Sequence, residues 1–238
     1  MRRILAPVLA AGFLFSATLA ARAEDTLSPL HWQSQGNLGS YDKAALQRGF
    51  LVYQSVCASC HTINALHYRD LEALGFTQDQ AAGIASGVKL ADGSPATLDD
   101  TIKASSVPAS AFGGAVAPDL SSIESARPHG LRYIYNLLTG YAAAPADVTL
   151  LPGRFYNTAY PGQQIAMPQP LKGNDVTYAD GTPATLQQEA SDVSAFLAWS
   201  ADPNLDARHE IGVRALIFLV FLSIIAIATK RKIWRETI

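Results

Sequence analysis

The stretch Cys57-Ala58-Ser59-Cys60-His61 constrains this chain more than any other. Two thiols separated by two residues can add to the two vinyl groups of one porphyrin, and the next side chain then lies beneath the iron. The C-x-x-C-H form therefore reads as attachment of one covalently bound haem c, with His61 as the proximal ligand through an imidazole nitrogen. A zinc site would need further ligands at suitable spacing, and Cys57 and Cys60 are the only cysteines. A thioredoxin-like dithiol is expected beside a βαβ pattern, and none is visible.

Both ends of the chain carry membrane-type segments. Arg2 and Arg3 precede an apolar run from Ile4 to about Leu19, and Ala21-Arg22-Ala23 supplies a cleavage box before Glu24. Residues 1–23 thus read as a secretory signal peptide, and residues 24–202 as an exported domain. At the other end, Ala215 to Thr229 is apolar apart from Ser223 and the closing Thr229, and is followed by Lys230, Arg231, Lys232 and Arg235. Roughly fifteen residues at about 1.5 Å each fall short of a bilayer core of about 30 Å. Extension back to Ile211 restores the length if Arg214 reaches for the headgroups. Residues 203–238 are expected to form one C-terminal transmembrane helix and a short tail. The basic cluster assigns that tail to the cytoplasm and the main domain to the periplasmic side of the cell inner membrane.

Charge is distributed unevenly. Residues 24–210 hold 19 of the 20 acidic residues and 10 of the 18 basic ones, a formal charge of −9. That acidity argues against nucleic acid and is compatible with a basic protein partner or with plain solubility.

Along the exported part, Glu24 to Gly39 reads as an irregular arm. Ser40 reads as the N-cap of a helix toward Val56, with Leu46, Gly49, Phe50, Tyr53 and Val56 on one face. Gly49 is costly inside a helix unless another helix crosses closely there. The pattern from Asn64 to about Gly87 predicts helix interrupted at Gly75 and Gly83, and residues 89–118 a long surface excursion. Leu131, Ile134, Tyr135 and Leu138 predict a short amphipathic helix ending at Gly140. Ile165-Ala166-Met167-Pro168-Gln169-Pro170 predicts an extended strap that cannot be helical. Thr185 and Gln188 form a candidate capping box for a helix carrying Leu186, Ala190, Val193, Phe196 and Leu197, the natural partner for the crossing at Gly49. Asp202 and Pro203 read as N-cap and first residue of the last helix.

A haem iron held by His61 has a sixth position. Met1 leaves with the signal peptide, so Met167 is the one thioether of the mature chain. It lies in a strap suited to press against a haem face, and Met/His ligation raises the reduction potential as an electron carrier requires. The rivals are His31, His67, His129 and His209. His67 is too near in sequence to swing to the opposite face, and His209 belongs at the membrane surface.

These features together resemble the cytochrome c1 family, the haem subunit of the cytochrome bc1 complex. The resemblance runs through Tyr41-Asp42, Leu46-Gln47-Arg48-Gly49-Phe50, Val52-Tyr53, the haem motif and Tyr68-Arg69. It continues through Ala117-Pro118-Asp119-Leu120-Ser121, Ala126-Arg127, Leu137-Leu138-Thr139-Gly140-Tyr141 and Pro161-Gly162 to Ile165-Ala166-Met167-Pro168. It closes on Asp180-Gly181-Thr182-Pro183-Ala184-Thr185, Asp192-Val193, Phe196-Leu197 and Trp199 before a single anchor. The resemblance implies a mainly α fold: a class I cytochrome c-like helical haem domain with long loop insertions, plus one transmembrane helix. It implies Cys57, Cys60, His61 and Met167 at the haem, and Arg127 on a haem propionate. It also implies cytochrome b and Rieske iron-sulfur subunits as partners, with a soluble basic cytochrome c as electron acceptor. The chain departs from many members in an Ala/Ser-rich stretch from Ser94 to Val116, where they carry aromatic and proline residues, and in having no further cysteine for a disulfide.

Three functions follow for comparison. One is an electron-transfer subunit between a Rieske protein and a soluble cytochrome c. Another is a free-standing membrane-anchored cytochrome c that feeds a terminal oxidase. The third, of a different class, is an exported thiol oxidoreductase using Cys57 and Cys60. For steering of a basic partner, the first carboxylates to consider are Asp92, Asp99, Asp100, Asp175 and Asp180.

Overall fold

A computed structural model describes residues 30–90, 92–104 and 115–236. The sequence-predicted signal peptide lies outside the described residues. Among the described residues the fold is mainly helical, with five α-helices and two small antiparallel strand pairs.

Helix α1 (Lys43–Ser55) crosses helix α4 (Leu186–Ala201) at Gly49. A Cβ at that position would lie 2.0 Å from the Asp192 carbonyl oxygen and 2.8 Å from the Phe196 Cβ, so hydrogen is the only side chain that fits. The residues on either side exploit the approach. Arg48 grips the buried Asp192 carboxylate through Nε and Nη2 at 2.9 and 3.1 Å, and reaches Asp180 through Nη1 at 2.8 Å. Phe50 meets Phe196 and Phe76 edge-on at centroid distances of 5.5 and 5.6 Å, and Trp199 stacks on Phe196. This aromatic cluster forms the centre of the core, and the two-point guanidinium contact fixes the crossing geometry.

Helix α1 starts later than its sequence suggests. Ser40 is held in a turn by its N–H bond to the Gln33 carbonyl, and the cap is Asp42, whose carboxylate accepts the N–H of Ala44 at 2.9 Å. Asn64 to Gly87 also departs from the helical expectation. Residues Ile63–His67 form strand β1, a 3₁₀ segment spans Tyr68–Leu74, and Gly75 turns the chain with φ of 98°. Helix α2 (Gln78–Ser86) then runs through Gly83 without a break. Tertiary bonds override the periodicity here: the N–H groups of Asn64 and Ala65 are taken by the side chains of Asp119 and Ser121. Strand β1 pairs with β2 (Thr101–Ile102), which buries Ile102 and fastens this part of the 89–118 excursion to the core.

Helix α3 (Leu131–Thr139) buries Leu131, Ile134, Tyr135 and Leu138 and stops at Gly140, as its periodicity predicts. Strands β3 (Phe155–Tyr156) and β4 (Gln164–Ile165) form a hairpin that leads into the methionine strap. Thr185 caps α4 by accepting the Gln188 N–H, but Gln188 does not return the bond; its Nε2 donates to Asp192 Oδ2 at 3.0 Å.

The last helix, α5, spans Leu205–Glu236. It begins two residues beyond the predicted Pro203, because Asp202 closes α4 and turns its carboxylate to Arg208 at 2.5 Å. At about 1.5 Å per residue its 32 residues extend nearly 50 Å, well beyond a bilayer core. Arg214 points back to Glu210, away from the apolar run, which allows the span to begin near Ile211. Two bonds clasp the start of α5 to the N-terminal arm: Asp206 accepts the Tyr41 N–H at 3.0 Å, and His209 Nδ1 meets the Gly39 carbonyl at 2.6 Å.

Gly49→Ala is expected to cost about 3 kcal/mol or more, the upper range for overpacking, because backbone rather than a flexible side-chain end occupies the space. Thermal unfolding of the detergent-solubilised chain tests this, and an unchanged midpoint would mean that the crossing can yield.

Candidate functional site

Helix α1 ends at Val56, and the chain enters a 3₁₀ turn over Cys57–Ser59. The N–H groups of Cys60 and His61 both bond to the Cys57 carbonyl, at 3.0 and 2.9 Å, which folds the motif into a tight arc. Tyr53, one turn back on α1, donates its hydroxyl to the His61 carbonyl at 2.8 Å. The rigid α1–α4 pair thus holds the motif from behind.

The segment Pro118-Asp119-Leu120-Ser121 fastens it from the front. Asp119 Oδ2 accepts from Thr62 Oγ1 and the Asn64 N–H at 2.7 and 2.9 Å, and the Leu120 N–H bonds to the Thr62 carbonyl. Partial burial opposes ionisation of Asp119, but donation from Ser121, Thr62 and Asn64 outweighs it and holds the carboxyl down at about 2. With the segment so placed, the Pro118 carbonyl lies 2.7 Å from His61 Nδ1. A carbonyl oxygen can only accept, so Nδ1 carries the proton and Nε2 keeps its lone pair free.

His61 borders a cavity of about 410 Å³ together with Cys57, Cys60, Met167, Arg127 and Arg154. Its walls are otherwise mainly apolar, including Ile134 and Leu138 from α3 and Val193 and Leu197 from α4. Met167 enters through the extended strap, whose backbone is pinned where Tyr141 donates its hydroxyl to the Met167 carbonyl at 3.0 Å. Among the sixth-ligand candidates, Met167 is the one that borders this cavity. His67 pairs with Asp70, His31 borders a separate cleft with Trp32 and Arg48, and His209 bonds to Gly39. Arg127 lies at the rim with its guanidinium 6.0 Å from the Tyr133 ring centroid.

Some contributors escaped sequence reasoning. Arg154 stands in a loop-like stretch without periodicity, and its place just ahead of β3 in the β3–β4 hairpin brings it to the cavity. Buried Asn157 organises the same region, donating to the Leu137 carbonyl at 2.7 Å and accepting the N–H groups of Ala159 and Tyr160. A lone asparagine in a loop carries no signal for such a role. Pro118 was legible as part of a motif, but the use of its carbonyl was not. Asp92, Asp99, Asp100, Asp175 and Asp180 are not brought to the cavity.

The donor set tests which group the cavity suits. Two thiols, an imidazole with a free Nε2, a thioether, apolar walls and two rim guanidiniums match a haem, which needs thioether anchorage, two axial donors, a dry pocket and partners for its propionates. Burial pushes the Cys57 thiol up to about 12. That opposes thiolate formation, the reverse of what a dithiol redox centre requires.

A helical domain of this kind, joined to a long apolar C-terminal helix, is that of a membrane-anchored c-type cytochrome. Residues 32–237 match the Cytochrome C1 family. The chain is 38% identical to "Cytochrome c1" of Rhodospirillum rubrum, over 96% of each protein. It is 40% identical to "Cytochrome c1 2, heme protein, mitochondrial" of Arabidopsis thaliana, over 85% of this chain and 70% of that protein. It is 37% identical to "Cytochrome b-c1 complex catalytic subunit, mitochondrial" of Candida albicans, over 92% and 82%. The chain belongs to the cytochrome c1 family.

Asp119 contributes stability that is present above the ordinary carboxylate value and is lost as pH falls through about 2. Asp119→Asn is therefore expected to lower the melting temperature at neutral pH and to flatten its fall between about pH 4 and 2. Melting curves that remain parallel to wild type would remove the segment's carboxylate from the support of His61.

Proposed function

We propose that this chain is the electron-transfer subunit of a cytochrome bc1 complex, taking electrons from a Rieske iron-sulfur protein and passing them to a soluble basic cytochrome c. The observation that carries this reading is the convergence of Cys57, Cys60, His61 and Met167 on one apolar cavity in a chain of this family. The named assembly of the Candida relative supports membership of a complex that also holds a cytochrome b. Residues 1–23 would direct export, and Lys230, Arg231 and Lys232 would keep the C-terminal end of α5 on the cytoplasmic side.

A bound haem supplies reversible one-electron chemistry at its iron. Cys57 and Cys60 anchor it through thioether bonds, and His61 offers Nε2 because Pro118 holds the proton on Nδ1. Met167 would offer its sulfur from the strap that lines the same cavity, where the bond from Tyr141 limits how far the backbone can retreat. Arg127, and Arg154 beside it, supply guanidinium groups for the propionates. Ile134, Leu138, Val193 and Leu197 exclude water, which keeps competing ligands away and lowers the reorganisation that accompanies electron transfer.

Met167→Ala is expected to leave the haem attached through an acid-acetone extraction but to lower the reduction potential strongly, since attachment uses the thiols and the potential depends on the axial sulfur. An unchanged redox titration would return Met167 to the role of a cavity-lining side chain. Loss of the covalent haem band in the wild-type protein would instead favour a thiol oxidoreductase, and absence of a co-purifying b-type cytochrome would favour the free-standing carrier. Electron transfer to a basic cytochrome c should slow as salt rises toward physiological strength, where the Debye length is about 8 Å. A flat bimolecular rate would mean that the acidity serves solubility.

A further inference from the structure

Glu189 is fully buried one turn before Val193 on α4. Its Oε1 accepts the backbone N–H groups of Asp175 and Val176 at 2.8 and 3.2 Å, tying the loop that follows the methionine strap to the helix. Its Oε2 is buried with no hydrogen-bond partner, and the Tyr178 hydroxyl is buried in the same condition. An ionised carboxylate with one oxygen left unsatisfied is costly away from water, whereas a proton on that oxygen relieves the cost.

The surroundings sharpen this preference. From its own helix Asp192 contributes a negative charge, but that charge is gripped by Arg48 of α1. From the loop come Asp175, whose carboxylate accepts the Lys172 and Gly173 N–H groups, and Tyr178, with the Arg48 guanidinium 5.7 Å from its ring centroid. Asp180 binds the remaining arm of Arg48. The neighbouring cation is thus committed to two other carboxylates, and among the described residues no ion pair holds Glu189 in its charged form. Burial pushes its carboxyl up to about 7, and the neighbouring Asp175 carboxylate adds to the rise, against donation from the backbone N–H groups of Val176 and Asp175. Burial likewise raises Tyr178, so the phenol stays neutral.

Glu189 and Val193 are i and i+4 on one face of α4, about 6 Å apart along its axis, and Val193 lines the cavity. The loop tied by Glu189 continues from Met167, Pro168 and Pro170, which also line the cavity, through fully buried Leu171. Lys172, Asn174 and Asp175 of that loop are exposed, so solvent lies one loop thickness from the carboxyl.

We propose that Glu189 is a buried proton-exchanging carboxyl that ties the loop after the methionine strap to α4 and takes up a proton when the cavity receives an electron. This rests on the reading of the cavity as the haem site. The balance is one electron from the upstream donor and up to one proton from water, which converts the Glu189 carboxylate to the acid; reoxidation releases both. The sign follows from charge: an added electron favours the neutral carboxyl, so the potential falls as pH rises through the titration of Glu189. By reciprocity, the proton shifts the electron's affinity as the electron shifts the proton's. A unit charge roughly 10 to 15 Å away, at an effective dielectric of about 20, changes a proton affinity about tenfold. That factor corresponds to ~59 mV for one electron.

Two measurements on the full-length holoprotein in detergent test this. The redox difference infrared spectrum near pH 7 should contain a carboxylic-acid C=O band that is absent in E189Q. Between pH 6 and 8 the wild-type potential should fall by about three-quarters of that ~59 mV beyond any fall in E189Q, whose neutral amide should hold it near the acid-side wild-type value. Parallel pH curves, or a spectrum without that band, would overturn the proposal. E189Q keeps an acceptor for Asp175 and Val176 and is nearly isosteric; should it fail to accumulate, the wild-type infrared spectrum decides alone. The haem-ligand reading fails separately: an unchanged potential in Met167→Ala with the Glu189 band intact would remove Met167 as ligand and leave the proton site standing.

Discussion

The closeness of α1 to α4 at Gly49 is the constraint on which the rest of the molecule depends. Helix α1 delivers the haem motif, and α4 supplies Val193 and Leu197 to the cavity wall, so the separation of the two axes sets the depth of the pocket. A larger residue at Gly49 would meet main chain, whose displacement would move Asp192 out of the grip of Arg48 and disturb the ring packing of Phe50 on Phe196. Three successive residues, Arg48, Gly49 and Phe50, therefore do separate jobs at one contact: a charge-assisted lock, a close approach and an apolar fill. The Arg48–Asp192 pair is nearly dry, and such pairs act more through fixing geometry than through net stabilisation.

The imidazole is held in the same manner, by main chain rather than by another side chain. A carboxylate partner on Nδ1 would add a negative charge next to the metal site. The Pro118 carbonyl fixes the tautomer without adding net charge, and the proline lacks an N–H that would need its own partner. Asp119 provides the negative charge one residue further on, where it organises Thr62, Asn64 and Ser121. The segment thus separates rigidity from electrostatics, which lets the imidazole keep a neutral partner close to an ionised carboxyl.

How much of this was legible in the sequence varies with the range of the interaction. The haem motif, the Met167 strap, α3 and its stop at Gly140, and the crossing at Gly49 each rest on local chemistry or on a residue whose cost demands a distant explanation. Strand β1 did not, because Asn64 to Gly87 has a helical rhythm, and the bonds that draw Ile63–His67 into a strand come from Asp119, Ser121 and β2, 34 or more residues away. Caps were legible to within two residues: Ser40 and Asp42 are both competent, and the turn at Gly36–Gly39 decides between them by occupying Ser40. Arg154 and Asn157 were illegible for the same reason as β1, since a loop residue's role depends wholly on what the fold brings to it.

The acidity of the chain ahead of the apolar run of α5 illustrates the gap between composition and placement. Asp92 and Asp100 accept bonds from Ser94 and Thr97, Asp99 pairs with Arg69, Asp180 with Arg48, and Asp175 closes its own loop. Such bonds do not remove charge. They hold Asp92, Asp100 and Asp180 below the ordinary carboxylate range, so these groups remain ionised well into acid. Their field extends about a Debye length into solvent whether or not each carboxylate is locally bonded. At the cavity itself no carboxylate side chain is in the lining among the described residues, and Arg127 and Arg154 stand there beside exposed Val116. A basic protein would therefore be drawn to the domain as a whole and meet mainly apolar groups at the last few ångströms. Long-range attraction with little ionic holding at the contact favours fast arrival and equally fast departure, the kinetic behaviour an electron carrier needs when each encounter transfers one electron.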